Sequence, residues 1–445
     1  MPYTINLVID ANTFNTGSIK YNLTSTNTDS NGKIVPSILT QTSIATGTST
    51  ITLGSGNFAN GTNKVHTYVL NLYYPDSGAD QNAEQEKSLA AHINVTSSAV
   101  PVPTLLSNKI LGASNANVTS VLTTPGKEVS TSGETVLAST ADDYGTSYYY
   151  RGNVQNNYII FANMCWRIVR VTGSGAIKLT LYNYNASSVS NPCSSAYDGT
   201  SAAFARYSGT TYTSAFNTNY NDNAYVGFMY GTAVSSTYAL THANTNKSTI
   251  LTNLEAWYST YLSSYASSLA DTIWCNDKSI STTAVYGGTL GYGTNQTGYS
   301  TLARLAYNGS SLGAAYGTGP SLVCNSDSNG GKLSKYTVDD ITNGNGNLTY
   351  PIGLLTADEI AFAGSAYNVS NNTYYLNKNA SSNNWWSLSP SILDGGFADE
   401  FSVYSTGFLT LGIVNNGYGV RPAVSLVSTT KALGSGTSSD PYTIS

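Results

Sequence analysis

Charge is what this 445-residue chain has least of. Only 10% of its residues are Asp, Glu, Lys or Arg, against about a quarter in an ordinary soluble protein. The 19 Lys and Arg are outnumbered by 24 Asp and Glu, for a net charge of −5. No basic run occurs, so the electrostatic footprint of a nucleic-acid binder is missing. No segment approaches the roughly 18 consecutive apolar residues of a membrane helix. An apolar leader is lacking too: Met1-Pro2-Tyr3 leads straight into strand-like TINLVI, which reads as a mature secreted chain with a starting Met added. Histidine is limited to His66, His92 and His242, and none of the four cysteines forms a CxxC, so a zinc site has little support. P-loop, dinucleotide, HExxH and nucleophile-elbow motifs are all absent.

Polarity comes instead from Ser, Thr, Asn, Gly and 35 Tyr. Thr and Tyr favour strands while Gly and Asn favour turns, so the composition predicts a β-rich α+β protein. A hydroxyl-rich, charge-poor surface points to an extracellular, cell-surface location. There, an even number of widely spaced cysteines forms disulfides. The sequential pairing, Cys165–Cys193 and Cys275–Cys324, is the one adopted; four buried thiols are the alternative.

The chain divides in two. Residues 1–99 contain short alternating runs such as YTINLVIDA, TSTITLGSG and LAAHINVTS at sandwich-like spacing. Pro101 and Pro103 mark a linker at 100–103. Within 104–430 the stretch from Tyr148 to Asn183 predicts three strands, with turns at Asn156-Asn157 and Gly173-Ser174-Gly175. Apolar residues at helical steps from Ile250 to Leu269 predict one helix over 249–273. A capping box at Thr356–Glu359, stopped by Gly364, predicts a short one. Residues 431–445 read as a polar tail.

Acids pair at Asp142-Asp143, Asp339-Asp340, Asp358-Glu359 and Asp399-Glu400. Neighbours on a strand point to opposite faces, which does not suit a two-carboxylate cleft. Asp358-Glu359 suits a helix N-terminus. Asp394, Asp399 or Glu400 could hold Ca²⁺, although no other cofactor is implied. GTLGYG at 288–293 lacks the strand-to-helix context of a phosphate loop. Trp166 and Trp257 read as core. Trp385 and Trp386 should point opposite ways, one buried and one partly exposed.

YYYRGNVQNNYIIFANMCWRIVRVTGSGAIKL at 148–179, TADEIAFAG at 356–364, NNWWSLSPS at 383–391 and GVRPAVSL at 419–426 together resemble a domain of Gram-positive extracellular proteins. That domain is similar to the C-type-lectin fold, including the variable proteins of diversity-generating retroelements and the formylglycine-generating enzyme. The resemblance spans about residues 104–430. It implies that Trp385, Trp386, Arg421 and Pro422 are a structural frame. The ligand face would lie between Ser391 and Asn416 with its flank, carrying Leu393, Asp394, Phe397, Asp399, Glu400, Tyr404, Phe408, Asn415, Asn416 and Tyr418. The Glu-Pro-Asn, Gln-Pro-Asp and Trp-Asn-Asp signatures of calcium-dependent lectins do not occur, and the enzyme's catalytic cysteines have no match. Residues 1–99 more loosely resemble β-sandwich modules of biofilm-fibre and camelysin-like proteins, some of which pass a strand between subunits.

The reading is therefore a non-enzymatic surface protein, adhesive or ligand-binding toward a protein or glycan. The alternative is a fibre or pilus subunit that self-associates through its sandwich. In that case Tyr3–Asp10 either pairs at home or is donated to a neighbour.

Overall fold

In the computed structural model the chain forms two compact units, Met1–Val102 and Pro103–Ser445. The structure describes every residue except 60–62, 98–101, 120–134, 282–289, 307–311, 313–316, 326–329 and 445. Half of the expected linker, residues 100 and 101, lies outside the described residues. The whole is β-rich, with 36% strand and 18% helix.

The first unit contains β1 (Pro2–Asn12), β2 (Lys20–Thr26), β3 (Gly32–Lys33), β4 (Ile38–Ser43), β5 (Ser49–Phe58), β6 (Thr67–Tyr73) and β7 (Leu89–Ser97). They form two antiparallel sheets, ordered β3-β5-β1-β7 and β4-β2-β6. The alternation of β1 sends Tyr3, Ile5, Leu7 and Ile9 inward onto Tyr21, Leu23, Val35 and Leu53. β1 is a central strand, paired with β5 on one side and β7 on the other. Tyr3–Asp10 is thus no free donor: both of its edges are occupied at home, because four inward apolar side chains fit its own core.

The second unit opens with β8 (Thr104–Leu105), α1 (Leu106–Leu111), β9 (Thr135–Asp142), β10 (Gly145–Gly152), β11 (Tyr158–Phe161), β12 (Met164–Val171) and β13 (Ile177–Asn183). Short elements follow: β14 (Thr213–Ser214), β15 (Met229–Tyr230), α2 (Tyr238–Thr241), β16 (Asn246–Lys247), α3 (Thr249–Tyr261), β17 (Trp274–Cys275), β18 (Thr297–Gly298), α4 (Ser300–Leu305) and β19 (Lys335–Tyr336). The chain closes with α5 (Ala357–Ala363), α6 (Tyr375–Ala380), β20 (Trp385–Asp394), β21 (Phe397–Val403), β22 (Leu409–Ile413), β23 (Tyr418–Gly419), β24 (Ala423–Leu426), β25 (Lys431–Leu433) and β26 (Tyr442–Ile444).

Its larger sheet runs β24-β13-β12-β11-β26-β25-β8, with β10 on β12 and β9 on β10. Every residue of β12 and β13 is buried. The expected three strands are four, since Ala162-Asn163, both at positive φ (52° and 59°), turn β11 tightly into β12. The expected polar tail is part of this sheet: β25 pairs with β8, and β26 runs parallel to β11. Buried Ala432 and Tyr442 are apolar anchors enough.

α3 starts on its cap, Ser248, and stops at Tyr261, short of the expected 273; a 3₁₀ stretch over Ser263–Ser268 follows. Four serines in that stretch compete for backbone hydrogen bonds and end the α-helix. α5 carries the expected capping box between Thr356 and Glu359, and Gly364 at φ 128° stops it. Disulfides join Cys165 to Cys193 and Cys275 to Cys324.

The second sheet is ordered β14-β23-β20-β21-β22, with β18 also on β20. All of β20 except Asp394 is buried. Trp385 and Trp386 do point opposite ways, yet both are buried, which corrects the expectation of one exposed ring. Trp386 packs on Tyr418 and Phe216 and donates from Nε1 to the Ser214 carbonyl at 2.7 Å. Trp385 lies under the Arg421 guanidinium at 5.1 Å. Arg421 donates to the carbonyls of Leu181 and Leu376, and Pro422 offers its carbonyl to the Leu181 amide.

Candidate functional site

Gly395 and Gly396, at φ 56° and 83°, turn β20 into β21. This tip gathers four of the ten expected ligand residues. Asp394 accepts from Gln296 Nε2 at 2.6 Å. Phe397 is 43% exposed and stacks on Tyr220, 37% exposed, with ring centroids 5.5 Å apart. Asn415 and Asn416 lie at the same end, because β22 ends opposite Asp399. Tyr404 and Phe408 stack on each other at the other end of β21. Tyr418 is spent on Trp386. Leu393 and Glu400 are buried and cannot meet a ligand on this face, because β20 and most of β21 are covered on both faces. Asp399 is half-buried, and burial followed by the charge of Asp394 pushes its carboxyl up to about 7. The ten residues therefore do not form one surface. Nor do Asp394, Asp399 and Glu400 converge on a cation: among the described residues no group of three His, Cys, Asp or Glu is arranged to hold a metal.

A concave site lies elsewhere in the second unit. A pocket of about 390 Å³ opens between the β11–β12 turn, the loop after β13 and the Arg206–Thr210 loop. Tyr184, Tyr261, Arg206, Asn163, Asn185 and Ser188 line it. Asn185, at φ 57°, ties the loop by accepting from the Val189 amide and donating to the Asn163 carbonyl. The Arg206 guanidinium stacks on Tyr184 at 4.5 Å and Tyr212 at 4.4 Å. It is held by the carbonyls of Ser201 and Phe204. Arg206 is the one charged residue of the lining among the described residues, and the volume falls within the roughly 300–1,000 Å³ of small-ligand sites. Sequence reasoning missed it. The available signal was an arginine among tyrosines, FARYSGTTY at 204–212.

No known family model, curated protein or solved structure matches this chain.

Two buried polar clusters lie elsewhere in the second unit. In the first, Glu359 binds Arg170 at 2.9 Å and Lys178 at 2.7 Å, and Arg170 also binds Asp142 at 2.6 Å. Beside it, Arg304 bridges Asp277 and Asp358, each at 2.8 Å. These groups surround a space of about 20 Å³, room for about one water. Three of the acids singled out in the sequence, Asp142, Asp358 and Glu359, are thus neutralised by cations; Asp143 meets Lys335 at 2.7 Å. The second cluster holds Lys278, Asn244, Tyr336, His242 and Glu400, all buried. Of the glycine-rich 288–293 stretch, 288 and 289 lie outside the described residues. Gly291 offers its carbonyl to His242 Nε2 at 2.9 Å, within this second cluster.

Proposed function

We propose that this chain is an extracellular, non-enzymatic surface protein whose second unit, read as C-type-lectin-like, holds an acidic saccharide in the pocket beside Arg206. The observation that carries the reading is that pocket, lined by Tyr184 and Tyr261 beside the cationic Arg206. Aromatic faces suit the apolar faces of sugar rings, and an arginine favours a carboxylate-bearing ligand. Two disulfides fit an oxidising compartment. The test is a glycan array spanning neutral and acidic saccharides. Y184A and R206Q should each weaken binding at least about tenfold, which is about 1.4 kcal/mol, while F397A at the hairpin tip leaves it unchanged. Binding that survives Y184A and R206Q but is lost in F397A returns the site to the hairpin face and sinks this assignment.

A second reading, self-association through the sandwich, rests on its open edges. Ile93 and Val95 of β7 pair with Leu7 and Ile5 and so share their inward face, yet are 46% and 58% exposed. Leu72 of β6, opposite buried Tyr21, is 48% exposed. A further strand laid along these edges would cover all three. Light scattering and electron microscopy of concentrated protein test it: wild type should form assemblies that I93D/V95D does not, and a strictly monomeric wild type refutes it.

A further inference from the structure

Lys278 is wholly buried, yet among the described residues it forms no ion pair with a carboxylate. Its Nζ lies 2.6 Å from Asn244 Oδ1, 2.9 Å from the Tyr336 hydroxyl and 3.4 Å from the Met229 carbonyl. Burial lowers the amine to about 7, so near neutral pH a large fraction carries a free lone pair. Asn244 is equally fixed. Its backbone sits at φ 57°, and its Nδ2 donates to the Leu333 carbonyl at 2.9 Å. Its Oδ1 also lies 2.6 Å from the Tyr336 hydroxyl. A nucleophilic nitrogen is thus held against a carboxamide whose oxygen already faces a hydroxyl donor.

The groups around the pair are consistent with this. Glu400 is 0% exposed, and neither of its carboxyl oxygens has a hydrogen-bond partner among the described residues. Burial, then the charge of Asp399, raises it well above the carboxylate range against the opposing pull of Lys278. Its coupling to Lys278, Tyr336 and Tyr299 places it in the same buried region. Burial and the Lys278 charge also hold His242 neutral, its Nδ1 without a partner among the described residues.

We propose that Lys278 and Asn244 become joined through their side chains in an intramolecular isopeptide bond that the folded chain forms by itself. The unprotonated Nζ adds to Asn244 Cγ, and charge develops on Oδ1, where the Tyr336 hydroxyl meets it. The Cγ–Nδ2 bond then breaks and Nδ2 leaves as ammonia. The proton that Nζ loses goes to the departing nitrogen, with the Glu400 carboxyl as carrier. One C–N bond forms and one breaks, no electrons are gained or lost, and no co-reactant is needed. The product replaces a buried amine that carries charge part of the time by a neutral amide, which the site's burial favours. It ties together positions 34 residues apart.

Intact mass spectrometry of the full chain, reduced and alkylated, tests this. The expected mass is lower than the sequence requires by one ammonia, and digestion should yield a branched peptide uncut after Lys278. K278R and N244A should each restore the full mass. A succinimide at an Asn-Gly step such as Asn343-Gly344 also sheds ammonia, but it would persist in both variants. A deficit that persists in both overturns the proposal, as does a wild-type mass equal to that of the sequence. The wild-type mass needs no variant to fold. E400Q should leave most of the chain unlinked; complete linking in E400Q removes Glu400 from the reaction.

Discussion

Replacing Glu359 by Gln removes one charge from the middle of the second unit while keeping the side chain's shape. The carboxylate binds Arg170 and Lys178 and accepts from the Thr356 amide at 3.0 Å. Glutamine still has an oxygen for that amide, so the helix cap survives and only the ion network is tested. Without the carboxylate, two buried cations face Asp142 alone. Removing one partner of a buried network costs about 3–5 kcal/mol, because the remaining charges stay desolvated. The pH dependence gives an independent magnitude. The neighbouring Lys178 and Arg170 charges outweigh burial and lower Glu359 from 4.5 to about 2, equivalent to about 3 kcal/mol. A depressed carboxyl stabilises the fold above its unfolded value, so this contribution is present above about pH 4.5 and lost as pH falls toward 2. Lys178 behaves in the opposite way: burial holds it near 8, and losing Glu359 lowers it further. E359Q should therefore regain part of its stability between pH 7 and 10. All five tryptophans lie after residue 103, so urea unfolding followed by tryptophan fluorescence reports the second unit alone. A loss below about 1 kcal/mol at pH 7, or a parallel decline of wild type and E359Q from pH 5 to 2, would refute the reasoning.

The remaining predictions are direct. Reducing the Cys275–Cys324 bond, which spans 49 residues, should cost about 4 kcal/mol; a melting temperature unchanged by reductant contradicts this. G407A should unfold at lower urea by at least about 3 kcal/mol, since Gly407 sits at φ 92° and a Cβ there would overlap the Asn371 carbonyl; an unshifted midpoint refutes the placement. Asp399, raised to about 7, opposes folding increasingly as pH rises from about 4 to 7, so D399N should gain more than about 1 kcal/mol at pH 8 and little at pH 4. Equal gains at both would contradict the burial of that carboxyl. Truncation at 430 should broaden the tryptophan transition by removing β25 and β26; an unchanged transition would mean that those strands carry no stability.

Much of the frame was legible because it rests on local periodicity. The alternation of β1, the Thr356–Glu359 cap and the pairing of nearby cysteines each depend on residues close in sequence. What eluded reading depends on neighbours distant in the chain. Tryptophans 385 and 386 look half-exposed on a one-sided strand; β20 is covered on both faces, which no local pattern announces. Lys178 and Arg170 are charged yet buried in strands, and it is Glu359, some 180 positions on, together with Asp142 for Arg170, that makes their burial tolerable. Lys278 in CNDKSIS and Arg206 in FARYSG have no periodic signature at all. Their surroundings are assembled by loops.

The closure of the larger sheet bears on how the molecule carries load. β8, at the entry to the second unit, pairs with β25, and β26 lies beside β11. Tension applied at residues 103 and 444 would meet these strands before it reached anything between 106 and 430. The chain stored behind that seam can lengthen only after the seam peels, and past it each cross-linked loop limits how far the chain pays out. Unfolding under force would then proceed as a sequence of short extensions, beginning at the two ends of the unit and not at its centre.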